Sequence, residues 1–346
     1  MKKKIMSVVL VLMILLTSGC GSSDYLKDKN GKIVQYKETG QNLPNNILCK
    51  PKDKELLKIY EEHKSELKTE YNKLETCDNF SIYGNGFGGI WEGIFVKPLS
   101  YLIILFGKIV GNMGISLIIV GILIRLILLP FSYKTHKQQK NMSKVQKEMQ
   151  KLEYKYRGRD DRESMMMKSQ EMMALYKKHK VSPMGGCLVA FLQLPLFFAF
   201  LSAVNRTPAI FEDSLFGFNL GMTPYVGLSN ENYLYLLLII LISVSTYFSF
   251  KYSMRGVSTQ DTGMGDQMSM MTKIMTIMIT ITSFSLSTAL SFYWITTYAF
   301  IAVQTFIFRK LTNDTSKKDN IKIEDKKGSI RTKLEAKEKL KYGTNK

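Results

Sequence analysis

The sequence predicts an all-α integral membrane protein with five transmembrane helices, on three observations. Apolar runs of membrane length alternate with very polar segments, although hydrophobic residues make up only 45% of the 346 positions. The formal net charge is +19, and the basic residues are concentrated in a few polar segments. The last apolar run, 274–308, has no charged residue, and as one helix it would be about 53 Å long, against a hydrocarbon core of about 30 Å. Two short spans with a turn near 283–287 fit this run better.

The first twenty residues resemble a bacterial lipoprotein signal. A basic start of three lysines precedes a twelve-residue apolar core, which is short for a span, and small residues lead to Cys20. We expect 1–19 to be removed as a signal peptide and Cys20 to receive a lipid such as palmitate. Thr17 stands where this motif usually has Leu, and an ordinary cleaved signal or an uncleaved anchor is the alternative.

The segment 20–90 is polar and is predicted to be external, as a spacer or a small module. A partial apolar stripe predicts a helix over 54–75. Cys49 and Cys77 are either disulfide-bonded or two free thiols.

Residues 91–112 form an apolar stretch that is interrupted by polar side chains. Glu92, Lys97 and Lys108 divide it, and a stronger candidate span follows at once. The pattern predicts a helix that lies in the outer membrane interface and does not cross the bilayer.

The distribution of Lys and Arg predicts the topology. These residues number fourteen in 133–181, three in 251–273 and thirteen in 309–346, but only one in 206–231. The positive-inside rule places the first three segments in the cytoplasm and the last outside, so the mature N-terminus is outside and the C-terminus, with its basic tail 309–346, is inside. The membrane domain, 113–308, then has spans at 114–131, 185–204, 233–250, 269–284 and 288–308.

The basic segment 133–181 is predicted to be a cytoplasmic antiparallel helical hairpin, broken near 157–160. Apolar side chains recur at helical spacing in both halves, and we interpret them as the seam of the hairpin. A Met-rich docking surface is the alternative. His136 and His179 would face each other at its base, as exposed histidines or as a metal pair. The apolar set is Met142, Val145, Met149, Leu152 and Tyr156, facing Met165, Met166, Met172, Met173 and Tyr176.

Two polar side chains are predicted to lie deep in the membrane. Arg125 is about 9 Å and Gln193 about 12 Å from the cytoplasmic ends of their spans. The five spans contain no acidic residue, so the guanidinium needs water, headgroups or a visiting anion, which favours a wet cavity; snorkelling is the alternative. On the last span a polar and aromatic face carries Trp294, Thr297, Tyr298 and Gln304.

Enzyme chemistry finds no support in the motifs. The chain has no nucleotide-binding Gly loop, no CxxC or HExxH, and no Asp, Glu or His within the five spans for acid–base work. We therefore expect neither catalysis nor a cofactor nor a metal. A channel or transporter with an anion site at Arg125, and a lipoprotein receptor that signals through the hairpin, are the alternatives to the reading that follows.

Four motifs together resemble the YidC family of bacterial membrane protein insertases, in its Gram-positive lipoprotein form. They are GISLIIVGILIRLILLPF with Arg125, the basic hairpin, GGCLVAFLQLPLF with Gln193, and ALSFYWITTYAFIAVQ with Trp294, and the resemblance as a whole covers about 91–310. The resemblance implies a five-helix bundle with a hydrophilic groove that receives polar client segments without ATP. The client-binding residues would be Arg125, Gln193, Trp294, Thr297, Tyr298 and Gln304.

The same resemblance implies partners and some departures. Nascent membrane proteins are the expected clients, the ribosome and the Sec translocon are expected helpers, lipids surround the protein, and no small-molecule substrate is expected. Ser287 replaces a common Pro, Tyr298 replaces a common Asn, and Gly121 replaces a hydroxyl residue one turn before Arg125. We expect these changes to affect client preference.

Overall fold

The computed structural model describes residues 25–84, 89–159, 161–179, 185–254 and 263–311. The predicted signal peptide, the lipidation site Cys20 and the basic tail beyond Leu311 lie outside the described residues. The described chain is helical, with two short antiparallel β-hairpins.

Residues 25–84 form a small folded unit, here called the N-terminal module. It contains the hairpin β1 (Gln35–Tyr36) and β2 (Gln41–Asn42) and one helix, α1 (Lys54–Glu62), which Asp53 caps by accepting a hydrogen bond from the Leu56 amide. The prediction of a helix over 54–75 is wrong beyond Glu62. The chain turns away because packing outweighs helical periodicity, and single 3₁₀ turns follow. These turns bring the later apolar residues back onto α1, in a core of Leu26, Tyr36, Leu43, Ile47, Leu56, Tyr60, Tyr71 and Leu74.

Cys49 and Cys77 are disulfide-bonded, so of the two possibilities the structure has the bonded one. Both cysteines are buried, and they belong to the apolar core of the membrane helices, together with Leu48 and Phe80. The disulfide therefore lies where the N-terminal module meets the membrane domain.

The remaining elements follow in chain order. A π-helical turn (Glu92–Val96) leads into the first long helix, and two short helices and a second β-hairpin fill the connection 206–231. The elements are α2 (Lys97–Val110), α3 (Met113–Ile127), α4 (Leu129–Lys155), α5 (Arg162–Lys178), α6 (Gly185–Arg206), α7 (Pro208–Phe211), β3 (Ser214–Leu215), β4 (Phe218–Asn219), α8 (Pro224–Ser229), α9 (Leu234–Met254), α10 (Gly263–Ser283) and α11 (Thr288–Leu311).

Within the described ranges, three helices are long and apolar enough to cross a membrane, and a bent pair makes a fourth candidate if it is one span. The three are Glu92–Val110, Leu234–Ser253 and Thr288–Leu311. Many apolar side chains of α9, α10 and α11 face outward, as lipid contact requires. The protein is thus an all-α membrane protein. Glu92–Val110 has the length of a span, whereas the sequence pattern favours an interfacial position for it.

The predicted span 114–131 is a bent pair rather than one straight helix. Met113–Ile127 and Leu129–Gln138 meet at 55°. Pro130 lies in the first turn of α4, and proline has no N–H to donate to the preceding turn, so α3 cannot continue. Helices also extend into the basic segment 251–273, because α9 continues to Met254 and α10 begins at Gly263.

Helices α4 and α5 lie antiparallel, as their ion pairs show. Lys155 Nζ is 2.6 Å from Glu171 Oε1, and Lys178 Nζ is 3.1 Å from Glu148 Oε2. The turn between them uses Gly158 at φ +76°, a left-handed conformation that suits glycine.

The apolar seam between α4 and α5 is only partly the one that the spacing predicts. The α4 side chains Val145, Met149, Leu152 and Tyr156 are buried. On α5, however, Met165, Met166 and Met173 are exposed, so their assignment to the seam is wrong. These three methionines point away from α4, whereas Met172 and Tyr176 are half-buried.

Acidification is expected to loosen this pair of helices. Hydrogen bonds from His179 and Lys178 lower the pKa of Glu148, and hydrogen bonds from Lys155 and Tyr156 lower that of Glu171. A lowered folded-state pKa gives stability that is present above the ordinary Glu value, about 4.3, and is lost as pH falls through the folded value.

Hydrogen exchange in α5 should therefore quicken when the pH falls from 6 to below about 4, after correction for the intrinsic pH dependence of exchange. Exchange that does not change relative to α9 would contradict this. The variant Glu163→Gln, at a carboxylate in the first turn of α5 away from both ion pairs, is the control and should keep the wild-type response.

Candidate functional site

Arg125 lies near the end of α3 and is only 7% exposed. Its Nη2 donates a hydrogen bond of 2.7 Å to Oε1 of Gln193 on α6. A buried guanidinium whose partner is a neutral amide keeps its full positive charge, because the amide satisfies a donor without cancelling the charge. The two polar side chains that the sequence places deep in the membrane are therefore in direct contact.

The far end of α3 is held by the connection 206–231. The Asn112 side chain caps α3 by accepting from the Ile115 amide, and its Nδ2 donates to Ser214 O at 2.7 Å. The Met113 amide donates to Asp213 Oδ2 at 2.6 Å. These contacts set the depth of α3, and hence of Arg125, against the rest of the bundle.

Helix α11 supplies the other polar groups near Arg125. The hydroxyl groups of Tyr293 and Tyr298 lie close enough to interact electrostatically with the guanidinium. The buried hydroxyl of Tyr293 lies beside Arg125, Gln193 and Thr297, although its contacts fall short of full hydrogen-bond geometry. A positive charge and several buried hydroxyls are thus grouped between α3, α6 and α11.

Aromatic contacts hold α11 against α6. The rings of Phe200 and Tyr293 stack with centroids 3.9 Å apart, and those of Phe197 and Trp294 stack at 5.6 Å. Phe250 of α9 packs against Tyr298 at 6.0 Å. Trp294 is therefore a packing residue of the α6–α11 contact in this conformation.

The structure gathers most, but not all, of the residues that the sequence singles out. Arg125, Gln193 and Tyr298 lie together, and Thr297 is buried nearby. Gln304 is half-buried and lies six residues, about 9 Å of helix, beyond Tyr298. Tyr293 was missing from the predicted set. Its signal was its spacing, since it lies one turn before Thr297 on the same face of α11.

Among the described residues, no group of three or more His, Cys, Asp or Glu side chains is placed so that it could hold a metal ion. The prediction that His136 and His179 face each other is wrong. The ring of His136 packs on Phe308 with centroids 5.6 Å apart, whereas Nε2 of His179 lies 2.9 Å from Glu148 Oε1.

Gly121 leaves room for a side chain beside the site. A Cβ atom there would lie 3.5 Å from Tyr293 Cδ2, an ordinary van der Waals distance. We expect Gly121→Ser to fold normally, with a change in unfolding free energy below about 1 kcal/mol, and to add a hydroxyl near Tyr293.

The matched control is Gly227→Ala, because a Cβ atom at Gly227 would clash with the Tyr235 ring. Gly227→Ala should lower the unfolding free energy by about 1–3 kcal/mol, because an added methyl group overpacks the site. Thermal unfolding of the two purified variants checks the difference. Equal destabilisation of both would contradict the geometry at Gly121.

Comparison with known proteins identifies relatives of this chain. The pattern of the family described as "60Kd inner membrane protein" matches residues 105–317. Membrane protein insertase MisCA of Bacillus subtilis is 39% identical over 220 residues, which are 63% of this chain and 79% of that protein. Membrane protein insertase YidC 2 of Bacillus anthracis is 36% identical over 64% of this chain and 82% of its own length. The YidC insertase of Alkalihalophilus pseudofirmus is 36% identical over 66% and 87%.

Proposed function

Because the chain belongs to the 60Kd inner membrane protein family, with the YidC-type insertases of Gram-positive bacteria, we propose that it inserts nascent membrane proteins into the bacterial membrane. The family places it in the membrane as a multi-pass protein, and its clients are new membrane proteins. The proposal requires no catalytic residue, cofactor or ATP.

The observation that carries the mechanism is the buried Arg125, bonded to the neutral Gln193. A polar or acidic client segment would enter between α3, α6 and α11, replace the amide, and bind the guanidinium partway across the bilayer. The hydrophobic barrier that remains is shorter, and burial of the client's apolar span in lipid supplies the driving force. Tyr293, Thr297 and Tyr298 would offer hydroxyls to the same segment, and Trp294 and Gln304 would line its path.

The proposed topology has five spans, α3, α6, α9, α10 and α11, with the N-terminal module outside and α4–α5 in the cytoplasm. Two features support it. The Cys49–Cys77 disulfide belongs in an oxidising compartment, and the fourteen basic residues of 133–181 belong on the inner side. The module contacts the connection 206–231, where the Met113 end of α3 is held, whereas α4 continues from the other end of α3.

Reconstitution of the purified protein in proteoliposomes tests the function. A purified single-span client with an acidic translocated tail is diluted from denaturant onto the outside of the vesicles without ATP, and protease protection of the tail measures insertion. Protection above that in protein-free vesicles is expected. Protection no higher than in those vesicles, combined with anion flux through the protein, would replace the insertase by the channel or transporter reading.

A further inference from the structure

Glu92 lies between two buried cations at the module end of the membrane helices. Its Oε2 is 2.8 Å from Arg206 Nη2 at the end of α6, and its Oε1 is 3.8 Å from Lys97 Nζ at the start of α2. Lys97 is only 2% exposed, and the side chains of all three residues are largely removed from solvent. One carboxylate thus contacts a cation at the start of α2 and another at the end of α6, and it offsets part of their charge.

The same two cations also bind the N-terminal module. Lys97 Nζ donates to Gly84 O at 3.0 Å, and Arg206 Nε donates to Asn46 O at 2.6 Å. The amide of Leu48 in turn donates to Arg206 O at 2.8 Å. Glu92 therefore holds the two side chains that attach the module to α2 and to α6.

A second set of contacts joins the module to the segment after α6. Oε1 of Glu212 accepts hydrogen bonds from the amides of Lys52 and Asp53, at 2.8 and 3.0 Å. Phe211 is buried in the core of the module itself. Near the end of α2, Lys108 Nζ donates to Asp78 O. The module thus contacts α2 at its start and near its end, and it contacts α6 at its C-terminal end.

We propose that residues 25–84 are a clamp that holds the module ends of α2 and α6 together, and that Glu92 is its positioning residue. Residues matched by the family pattern begin at 105, so the module and Glu92 lie outside it. Arg206 is thirteen residues after Gln193 on the same helix, about 20 Å away. The clamp holds α6 at a depth that keeps Gln193 opposite Arg125. The contact network is independent of insertion, and only its effect on clients rests on the proposed function.

Removal of the Glu92 charge should release the clamp. Glu92→Gln removes the one charge that contacts both Lys97 and Arg206, and the loss of one partner from a buried ion pair is strongly unfavourable. Opening of the contact is read from the Leu48 amide, which donates to Arg206 O, and from the amides of Lys52 and Asp53. Their hydrogen exchange in the full-length protein should quicken about tenfold or more.

Two variants make the exchange measurement specific. Glu92→Asp keeps the charge and should restore much of the protection. Glu70→Gln breaks an exposed ion pair with Lys73 in the same module and should change nothing, because exposed pairs contribute little. Unchanged Leu48 exchange in Glu92→Gln would overturn the clamp. Equal quickening throughout α4 and α5 would also overturn it, because Glu92 would then support the whole fold.

Insertion in proteoliposomes tests the link from the clamp to client binding. Glu92→Gln should reduce insertion severalfold while Glu70→Gln stays at the wild-type level. If hydrogen exchange at the Leu48 amide is faster in Glu92→Gln but the variant inserts clients at the wild-type level, the link from the clamp to client binding is wrong. If the wild-type protein itself inserts no client, the proposed function fails, and the exchange result still decides whether the clamp exists.

Discussion

Arg125→Ala is expected to lose most of the insertion of clients with acidic translocated tails, roughly tenfold to hundredfold, whereas Arg125→Lys should retain much of it. The alanine variant removes the buried charge that meets the client and leaves Gln193 Oε1 without its donor. A hydrogen bond to a charged group contributes about 1.5–3 kcal/mol, which corresponds to roughly a tenfold to hundredfold change in rate. Lysine preserves the charge but not the planar fork of donors, so a partial loss is expected.

The measurement is protease protection of the client tail in proteoliposomes, with two controls. Arg162→Ala removes an exposed arginine from the first turn of α5 and should leave the insertion of acidic clients much less affected. A client whose acidic residues are replaced by neutral polar ones should depend much less on Arg125. Equal insertion of the acidic client by wild type and Arg125→Ala would refute charge-based recognition.

Deletion of Lys144 to Lys177 is expected to impair insertion strongly while the membrane helices stay folded. The deleted part is held together largely by its own seam and by ion pairs between α4 and α5. The retained start of α4 keeps its contact with α11, where the rings of Tyr133 and Phe308 meet with centroids 5.3 Å apart. Fourteen basic residues against six acidic ones in 133–181 suit recruitment of the ribosome or anionic lipid.

Thermal unfolding and insertion are measured on the same deletion variant. Full activity would show that the hairpin is dispensable. Replacement of the exposed Met165, Met166 and Met173 by Gln distinguishes recruitment by basic residues from recruitment by an apolar surface. If the basic residues recruit the partner, this variant should insert clients normally. Loss of insertion in this methionine variant would assign the role to the apolar surface instead.

Helix breaks with a local chemical cause were visible in the sequence. The break near 157–160 coincides with Gly158 at positive φ, and the turn at 283–287 separates α10 from α11. The bend between α3 and α4 also has a local cause in Pro130, although the continuous hydrophobicity of 114–131 predicts one span. Hydropathy reports which residues avoid water and carries no information on whether the axis is straight.

Apolar spacing predicted the wrong buried residues where more than one arrangement can bury them. Met165, Met166 and Met173 of α5 fit the helical spacing, yet they lie on the exposed side of the two packed helices. The stripe over 54–75 likewise suggested one helix, although its later members reach the same core through turns. A spacing shows which residues share a face if a helix forms, and the neighbours decide whether that face is buried.

The sequence by itself determined the membrane class and the presence of a deep Arg125 and Gln193, because these follow from composition and from position along apolar runs. Tertiary structure alone decided that the two side chains bond, that Tyr293 joins them, and that Cys49 is bonded to Cys77. It also decided that Arg206 reaches Asn46 across 160 positions. Local patterns cannot encode such pairs, because each contact depends on how separate helices pack and on which buried polar groups must then satisfy one another.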